Sequence, residues 1–275
     1  MNEPQIVSKF TYNATVKQLV EVTGEIRIFR IELDSDEYRF IAGQYAVLGL
    51  LKEAPRIPEA AEVEYRETTT DPMIRRAYSI SSGSGDAHNL EFFISLVSSG
   101  ALTPRLFALK RGDRLFVAPR AKGIFTVDKV PEEKNVLMVA TGTGLAPYIS
   151  MLRSEVLANQ GRQIAIIHGA SYSWDLGYRR ELESLNATQK NFTYLPVISR
   201  PHDDPSWSGK TGRLPPILDE AQLDHYCGFQ VDPLSCHIFL CGNPLMIEDA
   251  EERLVGRGFK ADKGRVRGTL HMEKY

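Results

Sequence analysis

The chain has 275 residues, 43% hydrophobic and 25% charged, with a formal net charge of −2, a composition that fits a soluble globular protein of about two domains. So balanced a charge offers no overall field for nucleic acid or a membrane surface, and no apolar run approaches the ~18 residues that a membrane span requires. Met1-Asn2-Glu3-Pro4 lacks a basic start followed by a hydrophobic stretch, so no secretory signal and a cytoplasmic location are expected.

The first half reads as β structure. Apolar or alternating runs recur at residues 14–20, 26–33, 45–50, 77–81, 90–97 and 114–117, separated by turn signals such as Ala42-Gly43, Ser82-Gly83-Ser84-Gly85 and Arg111-Gly112-Asp113. Short strands at this spacing predict a sandwich or barrel. Residues 52–71 hold six acidic and three basic side chains with Pro55 and Pro58, and read as a surface loop. One helix is expected at 105–111, with Thr103 as N-cap, Pro104 in the first turn and Gly112 closing the end. Its N-terminus would attract an anion.

From about residue 130 the rhythm changes. Apolar strands at 135–140, 163–168, 192–198 and 237–241 alternate with helix-length segments, which predicts βαβ units and a parallel sheet. Pro131-Glu132-Glu133-Lys134 reads as the linker, giving domains at 1–130 and 131–275. The cysteines, Cys227, Cys236 and Cys241, match neither a zinc site nor a redox pair nor an iron–sulfur run, and the six histidines show no paired ligand spacing. No metal centre is expected.

Four stretches carry chemistry. In Arg76-Ala77-Tyr78-Ser79, a strand would put Arg76 and Tyr78 on one face and Ser79 on the other. A fixed cation beside an aromatic plate suits a phosphate joined to a flat ring, although four such residues alone also describe an ordinary strand. Gly100-Ala101-Leu102-Thr103 precedes the short helix. Val136 to Ala140 runs into Thr141-Gly142-Thr143-Gly144-Leu145-Ala146-Pro147, a strand, glycine turn and helix start of the kind that meets dinucleotide phosphates. Pro147 stands where the third glycine of the usual fingerprint would be, and a plain βα turn is the bland alternative. His237 to Leu240 leads into Cys241-Gly242-Asn243-Pro244, with Asn243 as N-cap and Pro244 at the first helical position. Cys241 then ends a strand, where open α/β sheets bind ligands.

These motifs, in this order and with the ending Glu273-Lys274-Tyr275, resemble the ferredoxin–NADP reductase family, most closely its bacterial branch. The likeness runs from Gly43-Gln44-Tyr45 to Tyr275. It implies a six-stranded antiparallel FAD-binding barrel followed by a five-stranded parallel sheet that binds NADP. It implies that Arg76 meets the FAD pyrophosphate, with Ala77 beside it, that Tyr78 packs on the flavin, and that Ser79 bonds near flavin N5. Gly100, Ala101, Leu102 and Thr103 would complete the phosphate site, and Ile94, Ser95 and Leu96 would lie along the adenosine. Thr143 would contact the NADP pyrophosphate, and Ser199, Arg200 and Arg213 the 2′-phosphate, where Ser171-Tyr172 replaces an Arg of some relatives. Cys241 and Gly242 would sit beside the nicotinamide, Glu273 would assist proton exchange, and Tyr275 would cover the flavin until nicotinamide displaces it. The implied activity is hydride exchange with NADP(H) and single-electron exchange with ferredoxin or flavodoxin, in a monomer with no second redox centre. The cations Arg105, Lys110, Arg111, Arg114, Arg120 and Lys122, against Asp113 alone, would either steer an acidic carrier or form an ordinary solvated face. An NADH-dependent reductase serving an oxygenase or cytochrome shares the domain plan, and a flavin-binding subunit without nicotinamide oxidation would need neither Glu273 nor Cys241.

Overall fold

The computed structural model describes residues 12–62, 70–86, 88–157, 161–219, 221–264 and 266–274. Strands β1 (Ala14–Thr23), β2 (Ile26–Leu33), β3 (Tyr45–Leu51), β4 (Met73–Ser79), β5 (Asn89–Ser95) and β6 (Arg114–Val117) form one antiparallel sheet in the order β4-β3-β6-β1-β2-β5. Its two ends meet. Ile80 bridges Phe92, and the Ser81 N–H donates to the Glu91 carbonyl at 2.8 Å, which closes the sheet into the expected barrel. Alternate residues such as Phe29, Ile31 and Leu33 of β2 or Ala46, Leu48 and Leu50 of β3 fill its interior.

Helix α1 (Thr103–Ala108) adds Leu106 and Phe107 to that core, and here the expected capping is corrected. Leu102 occupies the N-cap position without a side-chain bond. The Thr103 hydroxyl instead accepts from the Val97 N–H and donates to the Val97 carbonyl, both at 3.0 Å. Gly112, at φ +93°, belongs to the turn before β6, where its N–H donates to Val16 O at 2.8 Å.

The second half holds β7 (Asn135–Thr141), β8 (Ile164–Ala170), β9 (Phe192–Ile198), β10 (Lys210–Thr211), β11 (Cys236–Gly242) and β12 (Leu270–Lys274), all parallel, in the order β10-β9-β8-β7-β11-β12. The family likeness implied five strands. The sixth is the two-residue β10. The helices are α2 (Ala146–Arg153), α3 (Arg179–Thr188), α4 (Leu214–Ile217), α5 (Leu223–Cys227) and α6 (Pro244–Gly256). Strand β7 is buried on both faces, as its unbroken apolar run requires. Leu137 and Val139 join one layer with α4 and α6, while Val136, Met138 and Ala140 face the barrel.

On that barrel side Ile26, Ile28, Ala42 and Phe93 share one core with Tyr148, Ile149 and Met151. Val130, just ahead of the expected linker, packs into it beside Phe125 and Val127, all 5% exposed, whereas Pro131, Glu132 and Glu133 of the linker are exposed. The strand order reverses between β7 and β11, so the ligand crevice of this fold lies beyond their carboxyl ends. Among the described residues, no helix is long and apolar enough to cross a membrane.

Candidate functional site

A cleft of about 680 Å³ opens where the barrel meets the sheet. Arg76, Ala77, Tyr78 and Ser79 of β4 line it, with Ile94 and Ser95 of β5, Gly100 to Thr103, and, from the second domain, Thr143, Gly144 and Glu273. The predicted FAD residues that lie among the described ones, and Thr143, are thus gathered, except Leu96, which lines the neighbouring cleft. Tyr45, Phe93, Val97, Ser99, Ala146 and Lys274 complete the lining and were not singled out from sequence. At Gly100 a Cβ would stand 2.9 Å from Val97 O and 3.2 Å from Thr103 Oγ1, so bare backbone forms that wall. A backbone cradle, the exposed guanidinium of Arg76 and the ring of Tyr78 suit a diphosphate ending in a flat ring.

The two domains touch within the cleft. Ser79 Oγ donates to Glu273 Oε1 at 3.1 Å, and Ser95 Oγ donates to Thr143 Oγ1 at 3.4 Å. Glu273 reaches this place because β12 pairs with β11, which sets Glu273 opposite Cys241. Burial pushes the Glu273 carboxyl upward, against the lowering bond from Ser79. Cys241 is 1% exposed and does not line the cleft. Burial first, and the nearby Glu273 second, raise its thiol well above the usual range, which makes it an unionised packing group. Tyr275 lies outside the described residues.

Two glycine turns meet at the reversal of strand order. A Cβ on Gly144 would fall 2.4 Å from Cys241 O, and Gly242, at φ +138°, would place one 2.2 Å from Thr141 Oγ1. The Thr141 hydroxyl accepts the Asn243 N–H at 2.9 Å and ties the turns together. Asn243 Oδ1 accepts from the N–H groups of Leu245 and Met246, the N-cap expected from sequence. Beneath lies His168, fully buried. Its Nε2 is 3.1 Å from Gly142 O and its Nδ1 3.3 Å from the Tyr194 hydroxyl. A carbonyl only accepts, so Nε2 carries the proton and Tyr194 donates to Nδ1. Burial lowers this imidazole to about 4, so it is neutral at pH 7.

The second cleft, about 590 Å³, is lined by Thr141, Gly142, Ser171, Ser199, Gly212 and Arg213. Arg200 is absent from that lining. Its guanidinium lies 5.6 Å over the Tyr172 ring and donates to the Tyr172 hydroxyl at 3.1 Å, while Tyr172 stacks on Trp174 at 4.8 Å. Asp204, close in sequence to Arg200, turns inward and accepts from Ser173 N–H at 2.7 Å and Ser206 Oγ at 2.9 Å. Asp175 and Asp249 do line the cleft, and Asp249 is paired with Arg253 at 2.6 Å.

The proposed row of carrier-steering cations separates. Arg105 donates to the carbonyls of Ala101 and Lys52, and Arg114 is paired with Asp34. Lys110 and Arg111 occupy the turn entering β6, whereas Lys122 bridges Tyr45 at the cleft beyond its other end. Exposed Ile124, 83% accessible, neighbours Lys122.

Residues 138–252 match the family model described as an oxidoreductase NAD-binding domain. The chain is 30% identical over 250 residues to a flavodoxin/ferredoxin–NADP reductase of Buchnera aphidicola (subspecies Baizongia pistaciae), covering 90% of this chain and 92% of that one. It is 31% identical to the flavodoxin/ferredoxin–NADP reductase of Escherichia coli K12, with 82% of each chain covered. Among solved structures, a ferredoxin NADP+ reductase from Neisseria gonorrhoeae with bound FAD and NADP superposes with a TM-score of 0.80 at 27% identity, over 97% of this chain and 99% of that one. The chain belongs to the flavodoxin/ferredoxin–NADP reductase family.

Proposed function

We propose that residues 1–130 hold FAD in the larger cleft, that residues 131–275 present NADP(H) to it, and that the protein exchanges a hydride with NADP(H) and single electrons with ferredoxin or flavodoxin. One observation carries this reading: a cleft walled by both domains brings Ser79 of the barrel within hydrogen-bond distance of Glu273 of the sheet. A flavin held by β4 would face whatever the glycine turns of β7 and β11 deliver. FAD supplies the ability to take a hydride and release its electrons singly.

The chain's own groups bind, orient and hold protons. Arg76 and the backbone from Gly100 to Thr103 balance the charge of the FAD diphosphate. Tyr78, whose hydroxyl burial keeps protonated, offers a flat neutral surface to the ring. Thr143 and the Gly142–Gly144 turn take the dinucleotide diphosphate, and the glycines allow its close approach. Glu273, one hydrogen bond from Ser79 and with its carboxyl raised by burial, is the group that would take up or release a proton at the edge of the cleft. Ser199 and Arg213 receive the 2′-phosphate, with Arg200 swinging from the Tyr172 ring. Cys241 shapes the nicotinamide end through its backbone contact with Gly144. Tyr275, the residue after β12 in sequence, serves as the lid.

The carrier docks where the cleft opens, on Lys122 with Arg120 and exposed Ile124. The protein works as a cytoplasmic monomer. Steady-state oxidation of NADPH and of NADH, each with ferredoxin or flavodoxin as acceptor, tests the reading. NADPH-driven carrier reduction with little NADH activity is expected, and equal rates with both nucleotides would refute the phosphate assignment.

A further inference from the structure

The polar seam between the domains lies outside the two clefts described above, and its arrangement suggests a task. Helix α2 starts immediately after the Gly142–Gly144 turn, so wherever α2 sits the turn follows. On the barrel side, only Ile80 separates Ser79 from the loop that runs from Ser81 to Ser84. The last turn of α2 is bonded to that loop. Ser150 Oγ donates to Ser82 O at 2.8 Å, the Ser84 N–H donates to Ser154 Oγ at 2.8 Å, and Arg153 reaches Ser81 O at 3.3 Å.

A buried carboxylate locks this seam. Glu91 belongs to β5, the strand that sends Ile94 and Ser95 into the FAD cleft, and it is 5% exposed. Its Oε1 accepts from Arg153 Nη1 at 2.6 Å and from the Tyr178 hydroxyl at 2.7 Å, both across the interface. Its Oε2 accepts from Arg30 Nε at 2.6 Å, within the barrel. Arg153 also grips Glu181 of α3 through two bonds of 2.9 and 2.7 Å, and its guanidinium lies over the Tyr178 ring. Tyr178 holds a left-handed φ of +59°, and its ring meets Phe93 edge-on at 5.2 Å. A planar fork that bridges two carboxylates fixes direction as well as distance. A non-glycine left-handed residue persists only where its surroundings hold it.

We propose that Glu91, Arg153 and Tyr178 are positioning residues for hydride exchange: by pinning α2 and α3 to β5, they set the approach of the nicotinamide, carried by the Gly142–Gly144 turn, to the flavin held by β4. None of the three lines either of the two clefts assigned to the cofactors. Displacing a reacting pair by about 1 Å can cost on the order of a hundredfold in rate, so a loosened seam lowers the rate at saturating nucleotide while leaving nucleotide affinity in place. Arg30 provides the internal control, because it binds the same carboxylate without crossing between the domains.

The inference rests on the flavin and nicotinamide assignment above. The test uses the FAD-loaded full chain as Glu91→Gln, Tyr178→Phe and Arg30→Gln, with Tyr178→Phe as the mild variant should Glu91→Gln fold poorly. Flavin reduction by NADPH is followed by anaerobic stopped flow, NADP affinity by difference titration, and amide exchange of the 81–84 loop and the end of α2 without nucleotide. Expected are a slowing of about tenfold in Glu91→Gln, a smaller one of about threefold in Tyr178→Phe, and less than about twofold in Arg30→Gln. NADP affinity stays within about twofold, and amide exchange quickens only in the first two variants. Slowing in Arg30→Gln as large as in Glu91→Gln, or unmodified rates in folded Tyr178→Phe and Glu91→Gln, would overturn the positioning role alone. An unmodified protein that binds FAD but is never reduced by NADPH would overturn the functional reading and this inference with it.

Discussion

Acid should weaken the protein through His168. In the fold its imidazole falls from an ordinary 6.5 to about 4 because it is sealed from water between Gly142 and Tyr194. Above pH 6.5 the group is neutral in both folded and unfolded chains and contributes no pH dependence. Below 6.5 the unfolded chain takes up a proton that the folded chain refuses, so stability falls until the pH reaches about 4. At about 1.36 kcal/mol per pH unit the full loss is ~3 kcal/mol, of which ~2 kcal/mol is reached at pH 5. The comparison is the unmodified protein against His168→Gln, whose amide keeps a donor toward Gly142 O but does not titrate. Urea unfolding at pH 7.5 should favour the unmodified protein by about 1–3 kcal/mol, from the better-fitted pair of hydrogen bonds. At pH 5 that advantage should shrink by ~2 kcal/mol or reverse. An advantage of the same size at both pH values would refute the buried neutral imidazole. The other histidines cancel in the difference.

Other outcomes follow from the same geometry. Glu273→Gln removes a carboxyl that burial holds above its ordinary range, so the variant should gain stability relative to the unmodified protein as pH rises through the raised value, with no gain in acid; melting temperatures at pH 4 and pH 8 check this. Gly144→Ala drives a methyl onto Cys241 O at 2.4 Å and should weaken NADP binding about tenfold or more, with FAD content unchanged, as read by titration. Lys122→Glu should slow ferredoxin reduction several-fold at low ionic strength and spare ferricyanide reduction, whereas Lys110→Glu with Arg111→Glu should do far less. Equal effects from the two substitutions would return docking to the β6 turn.

What was legible in the sequence is what repeats or punctuates. The barrel strands announced themselves by alternation, and β7 by a buried apolar run. The Asn243-Pro244 start of α6 was marked by local chemistry, and the cleft residues from Arg76 to Ser79 and Gly100 to Thr103 assembled as their order implied. Strand β12 escaped because five mixed residues at the end of the chain carry no period of their own; β11 supplies the pairing. Thr103 looked like a cap because its type favours caps, but its hydroxyl found both polar groups of Val97 first. The cations between Arg105 and Lys122 are adjacent in sequence and scattered in space, since β6 carries them from one end of the barrel to the other. Glu91, Arg153 and Tyr178 gave no signal at all. Arg153 and Tyr178 lie 62 and 87 residues from Glu91, and each of the three alone looks like an ordinary polar or aromatic residue of its stretch of sequence.

The most direct test of the account is the visible spectrum of the purified, FAD-reconstituted protein before and after NADPH is added without oxygen. A yellow protein whose flavin absorbance bleaches on addition is the predicted result. A protein that cannot retain FAD, or one that stays yellow with NADPH, would contradict it.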